Sequence, residues 1–138
     1  MKKIVILVLM LSLVLSGAVY AGEKLPANIE LNGEKIESDN LQPYIEDGIT
    51  MVPLRWVSES LNYNVSWNGD NFAAGVETGQ EVLSKDGISG SIDDVKVFVN
   101  SKSMSEITDR KAVIIDSSTY VPLRPLANML DINISWNN

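Results

Sequence analysis

Two arginines stand at matching places in this 138-residue chain, and they are the charges best placed for binding chemistry. Arg55 and Arg124 each follow a Val-Pro-Leu triplet, where a helix is predicted to begin. A cation in the first turn opposes the helix dipole by roughly 0.3–1 kcal/mol, so it requires a local partner. That partner is either an anionic ligand or the carboxylate of Asp47 or Asp116, to which an arginine fork would tie the helix start. We favour the structural interpretation.

Three tryptophans offer a second kind of chemistry, the stacking of an indole on a sugar ring or on a partner's side chain. Trp67 and Trp136 each end a predicted strand at matching places, and repeated aromatics of this kind indicate core residues. Trp56 has no aromatic counterpart, since Pro125 stands in its place. Trp56 is therefore the expected surface contact, and Trp67 and Trp136 are expected to be buried.

The acidic residues suggest two further sites, and neither pattern is specific. Glu46-Asp47 and Asp93-Asp94 could in principle catalyse glycoside hydrolysis, but neighbours on a strand point to opposite faces. The Asn-Gly-Asp-Asn turn at residues 68–71 offers oxygen ligands, yet it lacks the EF-hand spacing and its final glutamate. We expect no catalytic and no metal-binding residue, and a carboxylate-dependent hydrolase stays a remote alternative.

The composition excludes many kinds of protein. The chain has no cysteine and no histidine, which excludes disulfides, thiolate nucleophiles, Ser-His-Asp machinery and imidazole-bound metals. Its net charge of −7 argues against nucleic acid as the main partner, because phosphates require a basic face. No cofactor is expected.

The first 21 residues have the pattern of a secretory signal peptide. Lys2 and Lys3 precede an apolar run, and small residues lead to Ala21, after which cleavage is expected. The alternative is an uncleaved anchor, but the run is shorter than the roughly 20 residues that a spanning helix needs. Cleavage would leave residues 22–138 as a single domain of net charge −9, secreted or at the cell surface and without a membrane contact.

The remaining chain contains an internal repeat. Residues 52–69 align with residues 121–138, and nine of the eighteen pairs are identical. The repeat units span about 28–71 and 95–138, and each predicts a strand, a hairpin, a helix of about nine residues starting at Pro53 or Pro122, and a returning strand. Between the units, residues 73–77 and 81–84 are predicted as short strands. The fold class is therefore α+β, an antiparallel sheet packed on two short helices. The apolar residues expected to share one core are Leu54, Val57, Leu61, Trp67, Leu123, Leu126, Leu130 and Trp136.

The repeated Val-Pro-Leu-Arg, each followed by a strand that ends in Trp-Asn, resembles the copper amine oxidase N-terminal (stalk) domain family over residues 29–138. The resemblance implies a surface appendage of exported bacterial proteins, outside the catalytic part of the oxidases. The oxidase activity itself is excluded here, because its copper is bound by histidines. Family members continue into another strand after the second Trp-Asn, so the resemblance also implies a sheet edge that could be open to a partner.

These observations lead to three hypotheses about function. The first is an exported, non-catalytic structural or binding module that contacts a protein or a cell-envelope polymer. Its expected structural motif consists of Pro53, Arg55, Trp67, Pro122, Arg124 and Trp136. The second is a carbohydrate-binding module that uses Trp56, and the third is the hydrolase. The oligomeric state is not predicted.

Overall fold

The structure is a computed structural model that describes residues 4–8, 22–37 and 40–137. Most of the predicted signal peptide therefore lies outside the described residues. No helix in the described part of the chain is long and apolar enough to cross a bilayer. The strands are β1 Ile4–Val8, β2 Leu25–Pro26, β3 Asn28–Leu31, β4 Glu34–Ile36, β5 Tyr44–Glu46, β6 Ile49–Pro53, β7 Val65–Asn68, β8 Ala73–Val76, β9 Lys96–Val99, β10 Lys102–Ser103, β11 Val113–Ile115, β12 Ser118–Pro122 and β13 Asn133–Asn137. The helices are α1 Leu54–Ser60, α2 Gln80–Leu83 and α3 Leu123–Met129, with a 3₁₀ turn at Met104–Glu106.

A central five-stranded antiparallel sheet joins the two halves of the chain, in the order β11-β12-β6-β5-β2. At its middle β6 pairs with β12, and Val52 lies opposite Val121. The hairpin between β5 and β6 turns at Asp47-Gly48, where both residues have positive φ, as a two-residue hairpin turn requires. The α+β class is confirmed.

The two main helices begin where β6 and β12 end. Pro53 and Pro122 are the N-caps of these helices and have extended backbone, whereas each was predicted to be the first residue of its helix. Each helix has seven residues instead of the predicted nine or so. Left-handed backbone at Asn62 and Asp131 ends the helical path. Each helix packs on the central strand of the other half, α1 on β12 and α3 on β6. The halves are therefore interlocked.

Two four-stranded sheets flank the central one, in the orders β10-β9-β8-β7 and β13-β1-β3-β4. Each contains one parallel pair, β8 with β9 and β1 with β13, whereas the sequence predicted antiparallel pairing only. Two parallel strands need a long connection that returns the chain to the same end of the sheet. The segment between β8 and β9, which contains α2, is long enough for this. The strand predicted at residues 81–84 is wrong, since this segment is helical and buries Leu83.

The main core lies between the sheets and the two longer helices. The predicted core residues Leu54, Val57, Leu61, Leu123, Leu126 and Leu130 are all buried there. Trp67 and Trp136 are not, and 38% and 42% of their surfaces are exposed, so that part of the core prediction is wrong.

A second, smaller core brings together Tyr44, Met51 and Tyr120. The two tyrosine rings lie 5.4 Å apart between centroids. Burial, followed by the charge of Glu46, raises the pKa of Tyr44 above its ordinary value of 10.0. Burial, followed by the charge of Asp116, raises the pKa of Tyr120 in the same direction.

These raised pKa values predict a loss of stability in alkali. The folded chain holds the phenolic protons more tightly than the unfolded chain, so the stabilisation is complete below about pH 10 and falls as the pH rises through the folded pKa values. We expect urea unfolding to show a declining free energy of unfolding above about pH 10, with a shallower decline in Tyr120→Phe. Tyr63→Phe, outside this cluster, is the control. Identical slopes in the parent and Tyr120→Phe would contradict the prediction.

Candidate functional site

Two surface grooves lie at equivalent places in the two halves. We call them the Trp67 groove, of about 620 Å³, and the Trp136 groove, of about 210 Å³. Each contains a helix start, the returning strand of the same half and a hairpin tip. The Trp67 groove is lined by Leu41, Pro53, Leu54, Arg55, Trp56, Glu59, Val65, Ser66, Trp67, Ala74, Ile114, Ser117, Ser118 and Thr119. The Trp136 groove is lined by Gly48, Ile49, Thr50, Thr108, Arg110, Pro122, Leu123, Arg124, Pro125, Ile134 and Trp136.

The hairpin tip in each groove comes from the other half of the chain. Because β6 and β12 are antiparallel, Pro53 lies opposite Tyr120 and Pro122 lies opposite Met51. The start of each helix is thereby placed beside the tip of the other hairpin. Residues 117–119 in this way reach the Trp67 groove. Their hydroxyl groups were not among the predicted site residues, and only the pairing of the two Val-Pro strands could have revealed them.

Arg55 lies at the rim of the Trp67 groove with its side chain about half exposed. Its Nη1 donates to Glu59 Oε1 at 3.1 Å and to the carbonyl of Val65 at 3.2 Å. The expected pair with Asp47 is wrong, and Asp47 instead accepts a hydrogen bond from the amide of Gly22 at 3.1 Å. The physical reason is that each hairpin tip lies beside the helix of the other half. The tip that contains residues 47 and 48 is therefore near the start of α3 and not near α1.

Arg124 holds the equivalent place in the Trp136 groove and is exposed. Among the described residues no ion pair joins it to Asp116, so the second expected fork is also wrong. Both arginines are therefore exposed residues of the groove linings.

Trp67 and Trp136 are more exposed than expected, whereas Trp56 lines the Trp67 groove. Trp56 is half-buried against the main core, and its indole N–H donates to the carbonyl of Glu37 at 3.3 Å. Trp67 is more exposed and packs edge-on against Phe72, with ring centroids 6.2 Å apart. Trp136 is the most exposed tryptophan. The largest accessible aromatic surfaces thus belong to the residues that the sequence assigned to the core.

In each pair of adjacent carboxylates, one member forms an ion pair with a cation. Glu46 forms a largely buried ion pair with Arg110. The ammonium of Lys96 lies 2.6 Å from Asp94 and holds the pKa of that carboxyl below its ordinary value. A general acid requires the opposite shift. This geometry gives the hydrolase hypothesis no support.

The turn considered for calcium is satisfied by its own hydrogen bonds. The Asn68 side-chain oxygen accepts from the amides of Asp70 and Asn71, and its side-chain nitrogen donates to the carbonyl of Leu83. Within residues 22–37 and 40–136, no group of three or more acidic side chains is arranged to hold a metal ion.

The comparison with known proteins gives one match. A family model described as copper amine oxidase N-terminal domain matches residues 30–138, which confirms the resemblance and includes both grooves. Neither the curated proteins nor the solved structures contain a match.

Proposed function

The chain belongs to the copper amine oxidase N-terminal domain family, a non-catalytic accessory domain, and from this premise we propose that it is exported and acts as a binding module. Export is supported by the basic, apolar and small-residue pattern of residues 1–21. Binding is supported by the two grooves. Their partner is a protein or a polymer of the cell envelope.

The Trp67 groove is the single observation that carries the binding role. Its walls are mainly apolar, with Leu54, Val65 and Ile114 among them, and polar groups stand at its rim. Trp and Arg are the residues that contribute most often to binding energy at protein interfaces, and here Trp67 and Arg55 are both exposed. An apolar centre with a polar rim is typical of a protein interface. A protein segment is therefore the favoured occupant.

A carbohydrate is the second candidate, and a specific arrangement favours it. The exposed indole of Trp67 lines the same groove as the hydroxyl-bearing residues Ser117, Ser118 and Thr119. An aromatic face stacks on a sugar ring, and hydroxyl groups both donate to and accept from sugar hydroxyls. This hypothesis assigns to Trp67 the role first expected of Trp56.

Export is tested by expressing the complete gene in a bacterial host and measuring the mass of the product. We expect a chain that begins at Gly22 to be recovered from the medium or the cell surface. Full-length chain found only inside the cells would refute export.

Binding is tested by comparing Trp67→Ala with the parent chain in sedimentation with purified cell envelopes. A central interface tryptophan contributes about 2 kcal/mol or more, so the variant should bind about thirtyfold more weakly. Its free energy of unfolding should change by less than about 1.5 kcal/mol, because its side chain is partly exposed. Ile92→Ala is the matched control, since Ile92 is an exposed apolar residue outside both grooves.

The nature of the partner follows from two treatments of the same envelopes. If protease digestion abolishes binding, the partner is a protein. If protein-free polymer binds and quenches tryptophan fluorescence in the parent but not in Trp67→Ala, the partner is a carbohydrate. Equal binding by the parent and Trp67→Ala would refute the role of the groove.

A further inference from the structure

In its four-stranded sheet, β1 holds the position that β8 holds in the other four-stranded sheet. The orders β13-β1-β3-β4 and β7-β8-β9-β10 match strand for strand, since β13 corresponds to β7 and β3 to β9 in the repeat. The strand β1 therefore stands where β8 would be expected. It belongs to the predicted signal peptide, whereas β8 directly follows β7.

The register of the two sheets is also equivalent. In each sheet, the residues that lie opposite one another on three neighbouring strands form a row. One row begins at the exposed tryptophan, and a second row begins at the residue two positions before that tryptophan. In the first sheet the rows are Trp67, Ala74 and Val97, and Val65, Val76 and Val99; in the second they are Trp136, Leu7 and Ile29, and Ile134, Val5 and Leu31. The pairing of β1 therefore repeats that of β8 row by row.

The two strands differ in direction. The strand β8 is antiparallel to β7 and parallel to β9, whereas β1 is parallel to β13 and antiparallel to β3. The cleft between β3 and β13 therefore pairs with a strand that runs opposite to the one found in the other sheet. Backbone hydrogen bonding, which is largely independent of sequence, provides most of that pairing.

Within the described part of the chain, loss of β1 would leave β3 and β13 as two facing sheet edges. Ile29 in β3 is fully buried, and Ile134 in β13 is partly buried against the main core. Unpaired edges of this kind are templates for another strand, and proteins normally cover them.

We propose that the cleft between β3 and β13 is a strand-binding site, which accepts an extended segment of a partner protein once β1 has been removed. The inference rests on the proposed export, because signal cleavage is the step that removes β1 from the domain. Before cleavage β1 is the intramolecular occupant. Signal cleavage thus opens the cleft between β3 and β13 to a strand of a partner protein.

The rows define the chemistry of the incoming segment. Its two residues on the rows of Ile29 and Leu31 must be apolar, as Ala74 and Val76 are in the first sheet. Its residue between them lies on the row of Glu30, which favours a neutral or basic side chain. The partner is therefore a short, extended segment with alternating apolar residues and no negative charge at its centre.

The test uses the refolded full chain and a peptide with the sequence of residues 71–78, which contains β8. Ile6→Pro should remove β1 from the cleft, because proline cannot pair inside a strand with two neighbours, and Ile6→Val is the matched control. A tethered strand has an effective concentration of roughly millimolar, so the peptide should bind Ile6→Pro at least about tenfold more tightly than the parent or Ile6→Val. Hydrogen exchange should then show new protection in β3 and β13. A peptide with aspartate at positions 74 and 76 should not bind.

Three outcomes would overturn the proposal. The first is equal peptide binding by Ile6→Pro and Ile6→Val, and the second is protection outside β3 and β13. The third is a dimer of Ile6→Pro that protects β3 and β13 and resists the peptide, which would make a second copy the occupant. If Ile6→Pro does not fold, a full chain with a protease site between residues 15 and 19 is cut after folding and tested in the same way. Neither experiment requires export, so failure of the strand-binding proposal is distinguishable from failure of the proposed function.

Discussion

Replacing Leu126 by alanine should lower the free energy of unfolding by about 2–5 kcal/mol. Leu126 is 1% exposed and lies on α3, which packs on β6 of the other half of the chain. The substitution removes apolar surface and leaves a cavity that the sheet on one side and the helix on the other cannot easily close. Urea unfolding, followed by circular dichroism, measures the loss.

The matched control is Leu25→Ala, because Leu25 is a leucine with an exposed side chain on the edge strand β2. Its effect should stay below about 1 kcal/mol. In Leu126→Ala the transitions followed by circular dichroism and by tryptophan fluorescence should still coincide, since interlocked halves unfold together. A loss below about 1 kcal/mol, or two separate transitions, would show that α3 does not join the halves in the way described.

Gly90→Ala should be strongly destabilising. A Cβ at this position would lie 2.6 Å from the carbonyl oxygen of Phe72 and 2.9 Å from those of Asn71 and Asp94. These are backbone atoms, which cannot rotate away, and the amide of Gly90 itself donates to the Asn71 carbonyl at 2.8 Å. We expect a loss of about 3 kcal/mol, at the upper end of the usual overpacking cost.

Gly79→Ala is the matched control for this prediction. Gly79 has φ of −69°, which alanine adopts freely, and a methyl group at this position would meet no atom within 4 Å. The substitution should leave the free energy of unfolding within about 1 kcal/mol of the parent value, or raise it slightly by restricting the unfolded chain. Equal unfolding midpoints for the two variants would refute the close approach of the backbone at Gly90.

The local elements could be read from the sequence because their signals are local. Asp47-Gly48 specifies a tight hairpin, the Val-Pro step separates strand from helix, and the leucine spacing marks the buried face of α3. The segment at residues 81–84 was misassigned because a four-residue apolar stretch has no period that distinguishes a helix from a strand. The direction of β8 relative to β9 was missed for another reason, since it depends on how a long connection crosses the sheet.

The candidate site was predicted less well than the fold, for a physical reason. The sequence by itself determined the α+β class, most of the leucine core and the absence of histidine and cysteine chemistry. Only the tertiary structure decided that each helix faces the hairpin of the other half, that Asp47 contacts Gly22 and not Arg55, and that Trp67 is exposed. Those features arise from contacts between residues far apart in the chain, whereas composition and periodicity report only on neighbours a few residues away.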